Sequence, residues 1–159
     1  MAESAELVKN LLEVGTLYHS LLFSYQRGLK KYMGSNASIL LHPAIEHLLE
    51  MDEEGGLKLD ASQTFEEAVA AFADFLTRSK IVKSCIVDQI EKDKYVFKVE
   101  GCVWAGKVHN RQLSLKDVTC PYALVAMALY KKYKGFISNE NESEYFHNGT
   151  ETILEPASI

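Results

Sequence analysis

Residues 84–100 read SCIVDQIEKDKYVFKVE, and this stretch predicts an antiparallel hairpin on which the rest of the fold is built. Its second half alternates, so that Tyr95, Phe97 and Val99 share one face of an extended chain and mostly polar residues occupy the other. Its first half is rich in residue types that strands favour. The charged residues 91–94 are typical of a turn. One face of the hairpin is therefore expected to cover a core, and the other to face solvent.

A second hairpin is predicted further along the chain. Asn148-Gly149 lies between the β-like runs 144–147 and 150–154, and Asn-Gly in that position is a strong hairpin signal. Pro156 then ends the last strand, because proline cannot donate a hydrogen bond to a sheet ladder. Together the two hairpins predict a sheet of four antiparallel strands.

The longest predicted helix covers Ser4–Tyr32 and is followed by Gly34, a typical C-cap. Its apolar residues recur at spacings of three and four over about four heptads. This stripe consists of Leu7, Leu11, Val14, Tyr18, Leu21, Tyr25 and Tyr32, with Gly28 at the one remaining position. Leu12, Leu22 and Leu29 add a second apolar face. A helix with two apolar faces needs either a surrounding fold or a second subunit.

Three further helices are predicted from their capping signals. Pro43 at a first helical position begins the second helix, and Thr64 with Glu67 forms a capping box for the third. Pro121 begins the fourth, which is almost wholly apolar and therefore expected to be buried, and Gly135 ends it. The order α-α-α-β-β-α-β-β predicts an α+β fold, with N-terminal helices packed on a four-stranded antiparallel sheet.

The composition is that of an ordinary globular domain. The chain has 159 residues, 47% hydrophobic and 25% charged, which excludes a disordered chain or a disulfide scaffold. We interpret residues 1–159 as a single domain with a helical part, 1–80, and a sheet-plus-helix part, 81–156. The net charge of −5 argues against nucleic-acid binding. The apolar runs fall short of the roughly 20 residues that span a membrane. Three cysteines and an acidic N-terminal segment predict a cytoplasmic protein with free thiols.

Two segments and the order of elements resemble a known family. The segments are YVFKVEGCVW at 95–104 and TCPYALVAMAL at 119–129, a strand that ends near a cysteine and an apolar helix opened by a second cysteine. With the element order over residues 10–156, they resemble the 4-vinyl-reductase-like domains. These domains are related in fold to TRAPP vesicle-tethering subunits and nitric-oxide-sensing haem domains, and archaeal members are described as predicted hydrocarbon-binding proteins. The resemblance implies helices on a sheet, a pocket for a small apolar molecule, and a homodimer formed through the helices.

The predicted ligand site lies around Trp104 and Tyr122, which flank Cys102 and Cys120 in the sequence. Aromatic rings with a few polar atoms are typical of pockets for small apolar ligands. The predicted ligand-binding residues are Trp104, Tyr122, Met127, Phe97 and Tyr25. The alternative interpretation is that these side chains simply pack in the core.

Cys102, Cys120 and His109 are candidate zinc ligands, because zinc prefers thiolate and imidazole. Alternatively, the two thiols form a redox pair, or they are small buried hydrophobes. Cys120 opens a helix, and the helix dipole predicts a lowered thiol pKa there. No catalytic serine, phosphate-binding or dinucleotide-binding pattern occurs, so no catalytic residue is predicted.

Three functional hypotheses follow. The first is a binding or sensing module for a small apolar or amphipathic ligand, a regulator or accessory subunit rather than an enzyme. The second is a zinc-binding protein or an enzyme that uses Cys102 and Cys120. The third is a ligand-free dimeric assembly subunit that uses the long first helix. We expect a homodimer without a membrane span.

Overall fold

A computed structural model describes the chain at residues 2–34, 41–53, 63–105, 108–109, 118–135 and 143–156. The helices in these residues are α1 (Ala2–Met33), α2 (Leu41–Glu53), α3 (Phe65–Arg78) and α4 (Pro121–Lys134). The strands are β1 (Ser84–Glu91), β2 (Lys94–Glu100), β3 (Glu144–Tyr145) and β4 (Gly149–Leu154). The predicted α+β class and the predicted order of helices and strands are confirmed.

The four strands form one antiparallel sheet in the order β1-β2-β4-β3. The first hairpin turns at Lys92 and Asp93, and Asp93 has a left-handed backbone with φ of 55°. In the second hairpin, β4 lies so close to β2 that glycine is required at Gly149. A Cβ atom there would lie 2.0 Å from the carbonyl oxygen of Val99. Both predicted hairpins are present, and they join through β2 and β4.

The main core lies on one face of this sheet. Tyr95, Phe97 and Val99 are buried, as the alternation of β2 predicts. They belong to the same apolar cluster as the buried faces of α3 and α4. Helix α2 contributes Ile45, which is fully buried and belongs to this cluster.

Local signals set the ends of the helices. The Thr64 hydroxyl caps α3 by accepting a hydrogen bond from the Glu67 N–H. The Glu67 carboxylate accepts from the N–H of Gln63 rather than from that of Thr64, so the predicted capping box is formed on one side only. Gly135 ends α4 with φ of 74°, and Gly34 follows α1 with φ of 60°, both in the left-handed region.

Helix α1 forms as predicted, but the apolar stripe that predicted it points outward. Leu11 is 62% exposed, Tyr18 67% and Leu21 55%. Tyr25, predicted to bind ligand, is 66% exposed, so it does not line an interior site. That prediction fails because the period of a stripe indicates that a helix forms, not what covers it. Within the described parts of the chain, no helix combines the length and apolar content needed to cross a bilayer.

The opposite face of α1 packs against the rest of the protein. His19 and Phe23 are buried on this face. The Gln26 side chain exchanges two hydrogen bonds with the backbone of Thr119, at 3.1 and 3.0 Å. Gly15 admits the indole ring of Trp104, because a Cβ atom there would lie 2.6 Å from that ring. Helix α1 is therefore held by small, polar and aromatic residues that lie outside the apolar stripe.

Candidate functional site

A group of buried or half-buried rings lies against the inner face of α1, and we call it the histidine–aromatic cluster. Its members touch one another through ring contacts, and they are His19, Phe23, Trp104, His109, Tyr122 and Tyr145. They come from α1, from the segment after β2, from the first turn of α4 and from β3. Because these segments are distant in sequence, the cluster exists only in the folded chain.

His19 lies at the centre of the cluster. Its ring centroid is 4.7 Å from that of Phe23 and 5.2 Å from that of Trp104. The two imidazoles of His19 and His109 are 5.8 Å apart, with 28° between their planes. Trp104 and Tyr122 are similarly stacked, 6.2 Å apart and 27° from parallel. These distances are those of rings in direct contact.

Backbone hydrogen bonds hold the segment that carries Trp104 and His109. The N–H of Cys102 donates to the carbonyl of Asn148 at 3.1 Å, which attaches this segment to the second hairpin. The N–H of Val108 donates to the carbonyl of Trp104 at 3.0 Å. This bond forms a helical turn between the indole and the second imidazole.

The first turn of α4 is fixed just as firmly, and this positions Tyr122. The N–H of Cys120 donates to the hydroxyl of Ser143 at 2.7 Å. That hydroxyl also bonds the hydroxyl of Thr152 on β4, at 2.6 Å. The start of α4 is thus attached to the second hairpin by a short chain of buried polar groups.

Several polar atoms of the cluster have no hydrogen-bond partner. Within the part of the chain that the structure describes, these are Nε2 of His19, Nε1 of Trp104, both ring nitrogens of His109 and the hydroxyl of Tyr122. His19 is only 6% exposed and His109 only 4%, so the unpaired nitrogens of these two rings are not hydrated at the surface. The Tyr122 hydroxyl lies beside the Cys102 thiol, but not in hydrogen-bonding geometry. An unpaired buried polar group costs about 1–3 kcal/mol, so this concentration requires an explanation.

Burial keeps the cluster uncharged. Desolvation, together with a smaller contribution from the neighbouring His109, lowers the pKa of His19 to about 4. Desolvation alone lowers the pKa of His109 to about 4. Burial raises the pKa of Tyr122, with smaller contributions from Cys102 and Cys120. At neutral pH the two imidazoles and the phenol are therefore neutral, and each presents an N–H or O–H group.

The cysteines are buried and protonated. Burial raises the pKa of Cys120 to about 11, although the nearby Thr150 side chain and the backbone of the first turn of α4 oppose this shift. The expected lowering by the helix dipole is therefore wrong, because desolvation outweighs it. Burial raises the pKa of Cys102 as well, and that of Cys85 to about 12. Thiols with raised pKa values are inert at neutral pH.

The predicted zinc ligands do not form a metal site. Among the described residues, no three His, Cys, Asp or Glu side chains are grouped so that they can hold a metal ion. Cys102 and Cys120 are near enough to interact electrostatically. His109, however, packs against the rings of Phe23 and Tyr145, at 5.3 and 4.9 Å. The spacing along the sequence could not reveal that the imidazole faces other rings.

The structure divides the other predicted ligand-binding residues between two places. Trp104 and Tyr122 belong to the histidine–aromatic cluster. Phe97 and Met127 are fully buried in the main core. Sequence reasoning missed His19, although a signal exists. Gly15, His19, Phe23 and Gln26 share one face of α1 at helical spacing, and that face is not the apolar stripe.

Comparison of the chain with protein-family models, curated proteins and solved structures finds no match.

Proposed function

We propose that the protein binds a small amphipathic molecule at the histidine–aromatic cluster. The observation that carries this proposal is the set of unpaired polar atoms on the rings of His19, Trp104, His109 and Tyr122. Small-molecule sites combine apolar and aromatic walls with a few polar groups that fix the ligand. This proposal develops the first of the three functional hypotheses from the sequence.

The energetics favour a ligand over a closed core. Folded proteins leave few buried polar groups unpaired, and each one calls for a functional or solvent partner. Here the unpaired atoms lie on adjoining rings from α1, the segment after β2 and α4. A ligand with an apolar body and a polar end would pack against the rings and also satisfy these atoms.

The thiol-based alternative has less support. A cysteine that attacks a substrate or binds a metal does so as thiolate, and burial raises the pKa of both Cys102 and Cys120. The small apolar ligand implied by the sequence resemblance agrees with the binding proposal. We therefore favour a binding or sensing module over an enzyme or a zinc protein.

Native mass spectrometry of freshly purified protein tests the proposal. We expect a species heavier than the chain, whose extra mass is released on denaturation. His109→Phe should lose this species, because it removes two unpaired nitrogens but keeps a ring. His147→Phe is the matched control, since His147 is exposed beside the hairpin turn. A wild-type protein without extra mass, and without any response of Trp104 fluorescence to added phenylpropanol, would contradict the proposal.

A second candidate function rests on the outward face of α1. We propose that this face pairs with the same face of a second copy of the chain. Its residues are large and apolar, and they are Leu7, Leu11, Val14, Tyr18, Leu21, Tyr25 and Tyr32, each about half exposed or more. They follow the heptad spacing that two packed helices require. A contiguous exposed apolar patch of this kind typically marks an interaction site.

Charge along α1 favours an antiparallel pair. Residues 2–16 carry three acids and one base, whereas residues 17–33 carry three bases and no acid. In an antiparallel pair, the acidic half of each helix lies beside the basic half of its partner. A parallel pair would instead bring like charges together. The occupant of this face is therefore a second copy of the chain rather than an unrelated helix.

Sedimentation of variants tests the pairing. The wild-type protein should sediment as a dimer, and Leu21→Glu should sediment as a monomer because it buries a charge in the apolar seam. Phe75→Glu is the matched control, since Phe75 on α3 is 52% exposed outside the seam. A wild-type monomer, or an equal loss of dimer in both variants, would contradict the pairing.

A further inference from the structure

The unpaired atoms of the histidine–aromatic cluster include three groups that can donate a hydrogen bond. The indole nitrogen of Trp104 only donates. A neutral imidazole carries one N–H, so His109, with both ring nitrogens unpaired, presents a donor in either tautomer. The neutral hydroxyl of Tyr122 adds a third donor. The group that would satisfy all three is a hydrogen-bond acceptor.

Among the residues that the structure describes, no Asp, Glu, Lys or Arg side chain shifts the pKa of His19, His109 or Tyr122. The titratable groups that interact with the histidines and Tyr122, or contact their rings, are His19, Cys102, His109, Cys120, Tyr122 and Tyr145. They come from α1, the segment after β2, the start of α4 and β3. None of them is an Asp, Glu, Lys or Arg. The polar end of a ligand is therefore selected by hydrogen bonding and not by a fixed charge.

We infer that the ligand of the histidine–aromatic cluster has an aromatic body and a carboxylate at its polar end. The inference rests on the proposed function and specifies its ligand class. Carboxylate oxygens accept hydrogen bonds from Trp104, Tyr122 and His109, whereas an ammonium group, which only donates, would leave the Trp104 indole N–H unpaired. The surrounding rings favour an aromatic body, because contacts between aromatic rings contribute stabilisation beyond that of the apolar area they bury.

Binding of the carboxylate takes up one proton. An ionised carboxylate in a dry interior is unstable unless it is neutralised, and the described residues around the cluster supply no cation. The carboxylate therefore enters together with one proton from solvent, so that the complex is neutral. That proton is held on the carboxylate oxygen or on an imidazole nitrogen of His19 or His109. In both cases the anion and one proton are consumed and one neutral complex forms.

Three probes with the same body and different polar ends test the inference. They are phenylpropionate, phenylpropanol and phenylpropylamine, each titrated into the full chain while the fluorescence of Trp104, the single tryptophan, is followed. We expect phenylpropionate to bind at least about tenfold more tightly than phenylpropylamine, a difference of about 1.4 kcal/mol. Its affinity should rise about tenfold for each pH unit lowered from about pH 8 to about pH 6, whereas that of phenylpropanol should not change.

The outcomes separate this inference from the proposed function. If phenylpropanol and phenylpropylamine bind and phenylpropionate does not, the cluster binds ligands but the carboxylate is wrong. Equal binding of the acid and the amine, or acid binding that does not depend on pH, would also overturn the inference. If none of the probes changes Trp104 fluorescence, the proposed function falls as well.

A pair of variants places the effect on the cluster. His109→Phe should weaken phenylpropionate binding by about tenfold or more, because it removes a donor to the carboxylate. The control His147→Phe should bind like the wild type. Circular dichroism of both variants confirms that they fold, and the inference fails if a folded His109→Phe protein binds phenylpropionate with unchanged affinity.

Discussion

Two clusters of rings in this protein differ in how their polar atoms are paired. In the main core, Phe65, Tyr95 and Tyr130 pack edge to face, with ring centroids 4.8 to 6.1 Å apart. The Tyr95 hydroxyl donates to the Glu66 carboxylate. The Tyr130 hydroxyl donates to the carbonyl of Asp93 at 2.6 Å. This core cluster satisfies both of its phenol groups from within the chain.

The histidine–aromatic cluster has similar ring distances but leaves its polar atoms unpaired. His19 and Trp104, for example, lie 5.2 Å apart, and each has a ring nitrogen without a partner. Burial of rings therefore does not distinguish the two clusters. The pairing of their polar atoms does, and this difference is the reason for the proposal that a ligand completes the histidine–aromatic cluster.

The largest expected effect is on the core cluster of Phe65, Tyr95 and Tyr130. Phe65→Ala should lower the free energy of unfolding by about 3–5 kcal/mol, because it removes a fully buried ring between Tyr95 and Tyr130. Urea unfolding followed by circular dichroism measures the change. A loss below about 1 kcal/mol would show that this cluster is not part of the stabilising core.

The second effect is the dependence of stability on pH that the histidine–aromatic cluster causes. Burial lowers the pKa of His109 from 6.5 to about 4, so the unfolded chain binds a proton more readily than the folded chain between these values. Stability contributed by the neutral imidazole is complete above pH 6.5 and is lost as the pH falls towards 4. For one histidine with this pKa shift, the free energy of unfolding falls by about 3 kcal/mol as the pH is lowered across this range.

Urea unfolding at several pH values measures this contribution. His109→Phe should show a weaker dependence of stability on pH than the wild type between pH 4 and pH 6.5. His147→Phe should keep the wild-type dependence. Identical pH profiles for the wild type and His109→Phe would contradict the burial of a neutral imidazole.

The third prediction removes a paired hydroxyl. Tyr130→Phe should lower the free energy of unfolding by about 1–2 kcal/mol, because the Asp93 carbonyl loses its donor. The fully buried ring remains, so packing is preserved. Unchanged stability would mean that the Tyr130 hydroxyl contributes nothing to folding, and that pairing of polar atoms does not separate the two clusters energetically.

The smallest expected effect comes from a tyrosine-to-phenylalanine substitution in the histidine–aromatic cluster. Tyr122→Phe should change the free energy of unfolding by less than about 0.5 kcal/mol or raise it, because the hydroxyl has no bond to lose. The same variant should bind phenylpropionate less tightly. A loss of stability equal to that of Tyr130→Phe would show that the Tyr122 hydroxyl is paired within the chain.

The sheet was predictable because its signals are local. The alternation of Tyr95, Phe97 and Val99 predicts a half-buried strand, and Asn148-Gly149 predicts a tight turn. Each signal depends only on residues that are neighbours in the chain. The structure has both hairpins at these positions.

The docking of α1 was not predictable from its periodicity. The stripe through Leu11, Tyr18 and Leu21 is the most regular in the sequence, yet it is the exposed face. The face that packs depends on a distant ring, Trp104, for which Gly15 leaves room. A pattern within one helix carries no information on such a partner.

The candidate site was predictable in part. Trp104, Tyr122 and His109 were predicted as functional residues from their position near the cysteines, and the structure brings them together with His19. Their chemistry differs from the predicted zinc site, because the direction of each ring is set by packing. Which polar atoms stay unpaired is a property of the folded chain and has no counterpart in the sequence.

The indole N–H resonance of Trp104 tests the central claim most directly, because this is the single tryptophan and its nitrogen is unpaired in the free cluster. In a nitrogen–proton correlation spectrum we predict one indole signal that moves downfield when the protein is saturated with phenylpropionate, as the N–H gains an acceptor. Phenylpropylamine should not move it in that direction. An indole signal that stays in place at saturating phenylpropionate would contradict the claim that the histidine–aromatic cluster is completed by a ligand.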